Sequence, residues 1–265
     1  MTALSISFVI SLLIELVLPV FLAVYLVRRY KIIWLVILIG AGILFAVQFL
    51  QIPLLQWLTP LLGGEGVQQN PQHLQDALIM GFSTGVLVEL LRFLSVKYIK
   101  QIDQGIGDAV GLGLGYAAVE TILLVGVPML VNFIAMLRVN SSTTALPYTP
   151  EVIEQIRAMW QLPWFLPLTG AYERLTALLM HITLSVMVMQ VFLKNNLRWL
   201  FFAMLWHSLY EGLSYYLASI NAASWVIVAI LTLITAYNLI VLRKLDVFAF
   251  LRSGQLSGLE TQQKE

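Results

Sequence analysis

Residues 173–212, ERLTALLMHITLSVMVMQVFLKNNLRWLFFAMLWHSLYEG, decide what kind of protein this chain is. They form two apolar stretches, each long enough to cross a bilayer as a helix, joined by the polar turn KNNLR. One histidine lies near the middle of each stretch, His181 in the first and His207 in the second. Ionisable side chains inside a bilayer are costly and are therefore candidates for a functional site. The pair predicts a site within the membrane.

The composition places the rest of the chain in the membrane as well. Of its 265 residues, 60% are hydrophobic and 11% are charged, whereas soluble domains carry about 25% charged residues. The net charge of +1 gives no basis for nucleic-acid binding, and the hydrophobic composition predicts membrane lipids as partners. The chain has no cysteine, which excludes disulfides, thiolate metal ligands and a cysteine nucleophile. A metal site must therefore use histidine, carboxylate and water.

The apolar pattern predicts an all-α, polytopic transmembrane helix bundle with about seven spans. The expected spans are 4–27, 32–52, 75–96, 105–137, 171–193, 199–218 and 222–242. We expect residues 1–245 to form a single transmembrane domain with its motif-bearing core at 80–215, and residues 246–265 to form a polar cytosolic tail.

Three connecting features are also expected. After the second span we expect an external loop that includes a short interfacial helix at 54–62. Pro128 is expected to kink or end the fourth span, because proline removes a helical hydrogen bond. The polar connection at 138–170 is expected to contain a short amphipathic helix.

The basic residues orient the bundle. If the N-terminus lies outside, most lysines and arginines fall in cytosolic segments, and the external segments hold only Arg138 and Arg157. Because loops rich in lysine and arginine stay in the cytosol, this orientation is favoured and the C-terminus is cytosolic. We expect a multi-pass protein of the cell membrane, with the plasma membrane of a prokaryote as its location.

Four ionisable residues fall at middle depths on four different spans. At a rise of about 1.5 Å per residue, their distances from the cytosolic ends of their spans are roughly 10 Å for Glu89, 12 Å for His207, 18 Å for His181 and 20 Å for Glu120. We expect them to line one polar cavity that opens towards the cytosol. Glu15, in the first span, is more simply explained as a buried carboxyl that faces other helices.

The spacing along two spans adds supporting residues. Glu89 and Arg92 are three residues apart, so they share a helix face and can form an ion pair. His207 and Glu211 are four residues apart and share another face, with Tyr210 beside them.

These residues are compatible with two kinds of hydrolysis. Two imidazoles and a carboxylate are a normal ligand set for catalytic zinc, and His181, His207 and Glu120 are the expected ligands. A metal-free mechanism is equally open, in which a glutamate activates water and a histidine stabilises the oxyanion. The chain has no HExxH motif, so a zincin-type helix is excluded. Intramembrane ionisable residues also serve transport and packing, which leaves non-enzymatic functions open.

Four motifs occur in order on separate spans: VELLRF with Glu89 and Arg92, GLGLGYAAVE with Glu120, ERLTALLMHITLSVMV with Arg174 and His181, and LWHSLYEG with His207 and Glu211. Together, over about residues 80–215, they resemble the YhfC family of intramembrane metalloproteases. That family resembles in turn the CAAX prenyl endopeptidases, the PrsW proteases and the scaffold subunit of γ-secretase.

The resemblance implies an intramembrane metallo- or glutamate-type endopeptidase. His181 and His207 would bind a metal such as zinc or polarise the scissile carbonyl, Glu120 or Glu89 would activate water, and Arg92 would hold Glu89.

Two departures from the motifs qualify this expectation. Val88 stands where the first motif usually has the first of two glutamates, and Tyr116 stands where a histidine is expected. The alternatives are therefore a catalytically inactive scaffold or binding subunit, or a small-solute carrier.

Overall fold

The structure is a computed structural model that describes residues 2–61, 73–141 and 148–253. All regular elements within these ranges are helices, so the predicted all-α class is confirmed. We number the helices α1 to α9. Helix α1 comprises Thr2–Leu12, a π-helical turn at Leu13–Val17 and Leu18–Tyr30, and α4 comprises Ile106–Glu120, a π-helical turn at Thr121–Gly126 and Val127–Ser141. The other helices are α2 (Trp34–Leu61), α3 (His73–Tyr98), α5 (Pro150–Ala158, followed by a 3-10 turn at Met159–Gln161), α6 (Leu166–Leu193), α7 (Arg198–Ser219), α8 (Ser224–Lys244) and α9 (Val247–Ser253).

In the described ranges, six helices are long and apolar enough to cross a membrane: α1, α2, α3, α4, α6 and α8. The seventh expected span is present as α7 but is not one of the six, because its inner face is polar and includes His207 and Glu211. Its outer face is apolar, with Phe202, Leu205 and Leu209 exposed. Exposed apolar side chains of this size indicate contact with lipid. The chain is a multi-pass membrane protein.

The prediction of a separate interfacial helix at 54–62 is wrong for the described part of that stretch, because α2 continues through Pro53 and Pro60 to Leu61. Residues 62–72, where the external loop was expected, lie outside the described residues. The short amphipathic helix expected within 138–170 is confirmed as α5, where Ile156 packs against Leu4 and Phe8 of α1.

Pro128 does not end α4. The π-helical turn at Thr121–Gly126 comes directly before it, and the turn at Leu13–Val17 comes directly before Pro19 in α1 in the same way. A proline ring clashes with the carbonyl four residues earlier in a regular helix, and a wider turn is one of the recognised adjustments to such an irregularity. The two π-helical turns contact each other.

Helix α6 is the centre of the bundle and contacts α1, α3, α4, α7 and α8. Its C-terminal half and the first part of α4 are almost entirely buried. Helices α3 and α7 pack closely along their length, because Gly81 and Gly85 of α3 leave room for the backbone of α7 at Ser208. Small residues allow this close approach of helices in membranes, where the hydrophobic effect between helices is absent.

The predicted KNNLR turn between the two histidine-bearing helices is confirmed. Asn195 adopts a left-handed conformation with φ of 48°, and the backbone N–H of Asn196 donates to the carbonyl of Val191 at 3.1 Å. The side-chain oxygen of Asn196 then accepts a hydrogen bond from the N–H of Arg198 at 3.0 Å. A left-handed residue, followed by a backbone bond such as the one from Asn196 to Val191, is a standard way to end a helix. The tight turn makes α6 and α7 antiparallel neighbours.

The glycines of GLGLG allow α4 to pack closely against its neighbours. Gly111 faces Ile32 and Gly115 faces the backbone of Ile37, whereas Gly113 faces α6. A Cβ atom at position 113 would lie 2.6 Å from the carbonyl oxygen of His181. The run therefore allows α4 to approach the backbone of α6 at the histidine itself.

We expect Gly113→Ala to destabilise the protein by about 1–3 kcal/mol, because the added methyl group forces α4 and α6 apart. The matched control is Gly42→Ala, since no atom lies within 4 Å of a Cβ at that position. Thermal unfolding in detergent measures both variants. Equal melting temperatures for Gly113→Ala and the control would contradict this account of the packing.

Candidate metal and catalytic centre

The structure brings the two intramembrane histidines together. The rings of His181 and His207 lie 5.2 Å apart between centroids and meet edge to face. Both side chains are fully buried. The structure therefore brings the two predicted site residues together, and α4 supplies a carboxylate to His181 and α3 supplies one to His207.

His207 is fixed by an ion pair on α3. Its Nδ1 lies 2.7 Å from Oε1 of Glu89, and Arg92 donates to both oxygens of the same carboxylate. All three side chains are completely buried. Because an ionised carboxylate only accepts hydrogen bonds, Nδ1 carries the proton in this contact and Nε2 of the neutral ring has a free lone pair.

His181 is held in a similar way from α4. Its Nε2 lies 3.0 Å from Oε2 of Glu120, which leaves Nδ1 free of a proton in the neutral ring. Tyr116, one turn before Glu120, packs its ring on His181 at 4.5 Å between centroids. The guanidinium carbon of Arg92 lies 5.7 Å from the centroid of the same Tyr116 ring. Tyr116 thus connects the two histidine supports.

The two remaining ring nitrogens, Nδ1 of His181 and Nε2 of His207, are buried and have no hydrogen-bond partner in the described part of the chain. Glu211 is the nearby carboxylate: its Oε1 lies 3.7 Å from Nε2 of His207, which is too long for a hydrogen bond. One ligand atom from each of His181, His207 and Glu211 lies within 4.8 Å of the others. Two unpaired imidazole nitrogens beside a carboxylate suit a divalent metal.

The contacts of each histidine are those of metal-bound histidines in general, where the second ring nitrogen is held by a carboxylate. Glu89 and Glu120 are in that position here. The sequence named Glu120 as the third metal ligand, whereas the carboxylate grouped with both histidines is Glu211. The sequence could place Glu211 near His207 from their spacing, but it could not tell which oxygen faces which nitrogen.

The two departures from the expected motifs have clear structural settings. Val88 is fully buried in an apolar cluster with Ile43, Leu44 and Val47 of α2, and Tyr116 packs against the same cluster. A carboxylate at position 88 would be placed among these aliphatic side chains. The carboxylates of this centre come instead from positions 89, 120 and 211.

Exposure increases across the centre from one end of the bundle to the other. Glu89 and Arg92 are buried completely, whereas the side chains of Glu120 and Glu211 are 16% and 29% exposed. Further along α6, about two turns from His181, Arg174 is 15% exposed and donates to Glu173 at 2.8 Å. The partly exposed carboxylates of the centre are therefore Glu120 and Glu211, and the opening towards the cytosol stays a prediction.

Asn238 of α8 is a functional candidate that the sequence reasoning missed. Its side chain is fully buried; its Oδ1 accepts a hydrogen bond from Nε1 of Trp206 at 3.0 Å, and its Nδ2 donates to the sulfur of Met180 at 3.4 Å. These two partners directly precede His207 and His181 in the chain. A lone amide within an apolar span was the available signal. Asn238 therefore holds α6 and α7 together at the level of the histidines.

We expect Asn238→Leu to weaken the packing of α6 against α7 by about 1 kcal/mol, in the range of interhelical hydrogen bonds in membranes. Thr235→Val is the matched control, because Thr235 contacts Thr176 of α6 at 3.1 Å but does not reach α7. Unfolding in a denaturing detergent measures both variants. A double-mutant cycle with Trp206→Phe should show that the two changes are not additive, and full additivity would contradict the assigned contact.

Comparisons with known proteins agree with the geometry. The family model described as YhfC intramembrane metalloprotease matches residues 14–232 of the chain. The match covers α2 to α7 and includes every residue of the centre. Searches of curated proteins and of solved structures found no match.

Proposed function

Because the chain belongs to the YhfC intramembrane metalloprotease family, we propose that it is a membrane-embedded endopeptidase that hydrolyses peptide bonds at the centre formed by His181 and His207. The observation that supports this proposal most directly is the pair of unpartnered, buried ring nitrogens beside Glu211. A pair of histidines kept only for packing would not need both opposite nitrogens held by carboxylates. The substrate class is a peptide or a membrane protein.

In this proposal the metal ligands are Nδ1 of His181, Nε2 of His207 and a carboxylate oxygen of Glu211. A zinc ion bound there supplies Lewis-acid chemistry, which polarises a carbonyl and makes water a better nucleophile at neutral pH. The ring orientations are set by the protein, since Glu89 and Glu120 fix the opposite nitrogens.

The three carboxylates of the centre have different duties in this mechanism. Both oxygens of Glu89 are engaged by Arg92 or His207, so we assign Glu89 the orientation of His207. Glu120 uses Oε2 for His181, and its Oε1 accepts no hydrogen bond from the described residues. The side chain of Glu120 is partly exposed, which supports the approach of substrate and water to it. We therefore assign the general base to Glu120.

The competing proposal is a non-catalytic membrane scaffold. The observation in its favour is Val88. The motif that VELLRF resembles usually has a glutamate at this position, and the chain has a buried aliphatic side chain there. A scaffold would keep the helix packing and would not require the centre to bind metal or to cleave peptides. The two experiments below separate these proposals.

The first experiment measures the metal content of the purified protein. We expect about one zinc per chain in the wild type, since three protein ligands plus water complete a catalytic zinc site. The variants His181→Ala, His207→Ala and Glu211→Gln should each lose it. His73→Ala is the matched control, because His73 begins α3 and is not in the cluster. Metal retained in all three variants would reject the assigned ligands.

The second experiment separates the base from the ligands. Glu120→Gln should lower kcat for peptide cleavage in proteoliposomes by roughly 10²–10⁴, the range of general-base catalysis. It should keep its metal, because the amide oxygen still accepts the bond from His181. Glu173→Gln is the control, since Glu173 pairs with Arg174 near the end of the bundle. New N-termini in a pool of transmembrane peptides, identified by mass spectrometry, report cleavage. Unchanged cleavage by Glu120→Gln would reject this base, and no cleavage by wild type would favour the scaffold.

A further inference from the structure

A buried row of polar residues on α1 has no place in the mechanism described so far. Ser7, Ser11 and Glu15 follow one another at intervals of four residues, so they share one helix face. All three are buried inside the bundle, whereas Ile6, Ile10 and other side chains on the opposite face are exposed to the surroundings. We call Ser7, Ser11 and Glu15 the α1 polar stripe.

The stripe ends at a junction of three helices. Glu15 lies in the π-helical turn of α1, which contacts the π-helical turn of α4 and also α6. Gly126 of α4 makes the approach close: a Cβ atom there would lie 3.3 Å from Cβ of Glu15. π-helical turns occur frequently at functional sites. The irregular turns thus place a carboxyl group between helices and not towards lipid.

Four side-chain oxygens at this junction have no hydrogen-bond partner among the described residues. Both carboxyl oxygens of Glu15, the hydroxyl of Ser11 and the hydroxyl of Thr121 are buried without a hydrogen bond in the part of the chain that the structure describes. A buried polar group without a partner costs about 1–3 kcal/mol. Apolar side chains of similar size would pack without that cost, so four such atoms together need an explanation beyond packing.

The junction leads directly to the catalytic centre. Thr121 follows Glu120 in the chain, and Glu120 contacts His181. On α6, Arg174 is near enough to Glu15 and to Glu120 for its positive charge to act on both carboxyl groups. Arg174 is itself partly accessible. Polar groups of α1, α4 and α6 therefore meet next to the proposed base, since the π-helical turn of α1 contacts both other helices.

We propose that the α1 polar stripe is a water path that connects the N-terminal end of α1 with Glu120. The cleavage of each peptide bond consumes one water molecule, and the bilayer core excludes water. A buried water needs two to four polar partners, and the oxygens of Ser11, Glu15 and Thr121 supply them. The purpose of the path rests on the proposed function, but its hydration does not.

The first test uses the absence of cysteine from the chain. Ser11→Cys and Ser7→Cys each introduce a single thiol of nearly the same size as the serine. A small, charged, membrane-impermeant methanethiosulfonate is applied to proteoliposomes. We expect each thiol to be modified at least about tenfold faster than the thiol of Ile10→Cys or Ile6→Cys, because apolar surroundings suppress the thiolate that reacts. The isoleucine controls lie on the exposed face of the same helix.

A second change tests the route itself. Adding Glu15→Leu to Ser11→Cys should slow this modification, because leucine removes two polar partners of the path. Adding Val17→Leu should not, since Val17 lies in the same π-helical turn but is exposed. Labelling at Ser11→Cys and Ser7→Cys that is no faster than at the isoleucine controls would overturn the proposal. So would equal labelling with Glu15→Leu and with Val17→Leu.

The purpose of the path is tested with the active protein. Glu15→Leu should lower kcat, because water reaches Glu120 more slowly, without loss of metal or a change in KM. Val17→Leu should leave all three unchanged. A hydrated stripe in a protein without peptidase activity would overturn the proposed function and keep the path. Normal kcat in Glu15→Leu would overturn the assigned purpose.

Discussion

The ion pair between Arg92 and Glu89 is the interaction on which the proposed catalytic centre depends. A carboxylate buried in the bilayer is unstable unless a cation compensates it, and Arg92 supplies that charge from the same face of α3. Only because Glu89 stays ionised can it hold the proton of His207 on Nδ1 and leave Nε2 free. Arg92 also faces Tyr116, whose ring packs on His181. A single ion pair, itself fully buried, therefore supports both histidines.

The low polarity of the surroundings also assigns different duties to chemically identical side chains. Glu89 has both oxygens in use, Glu120 has one oxygen in use, and Glu211 lies beyond hydrogen-bond distance of the histidine nearest to it. In water these differences would be small, because solvent would complete each carboxylate. Inside the bundle they determine whether a carboxylate can orient a ring, accept a proton or bind a metal. The number of hydrogen-bond partners of each carboxylate thus distinguishes the proposed roles, and the sequence alone does not give that number.

The sequence predicted the parts of this protein that depend on local spacing. The mid-span positions of His181 and His207, the Glu89–Arg92 pair and the KNNLR turn all follow from residues close together in the chain. The sequence did not predict where α2 ends. The expected span stops at residue 52, whereas the helix continues through Pro53 to Leu61. Sequence reasoning also missed what depends on packing between distant segments. Asn238 reaches residues 32 and 58 positions away, and the grouping of Glu211 with both histidines depends on how α6 packs against α7.

Val88 has a further consequence for the direction from which a substrate reaches the centre. A base on α3 at position 88 would act from the side of α2, where the structure has a closed apolar cluster. With the base on α4, attack comes from the side on which Glu120 and Glu211 are partly exposed. In the proposed mechanism the substrate and the metal ligands share this partly exposed side, and Glu89 only orients His207. Valine at position 88 is therefore compatible with the proposed catalysis, because the carboxylates that the mechanism uses are at positions 120 and 211.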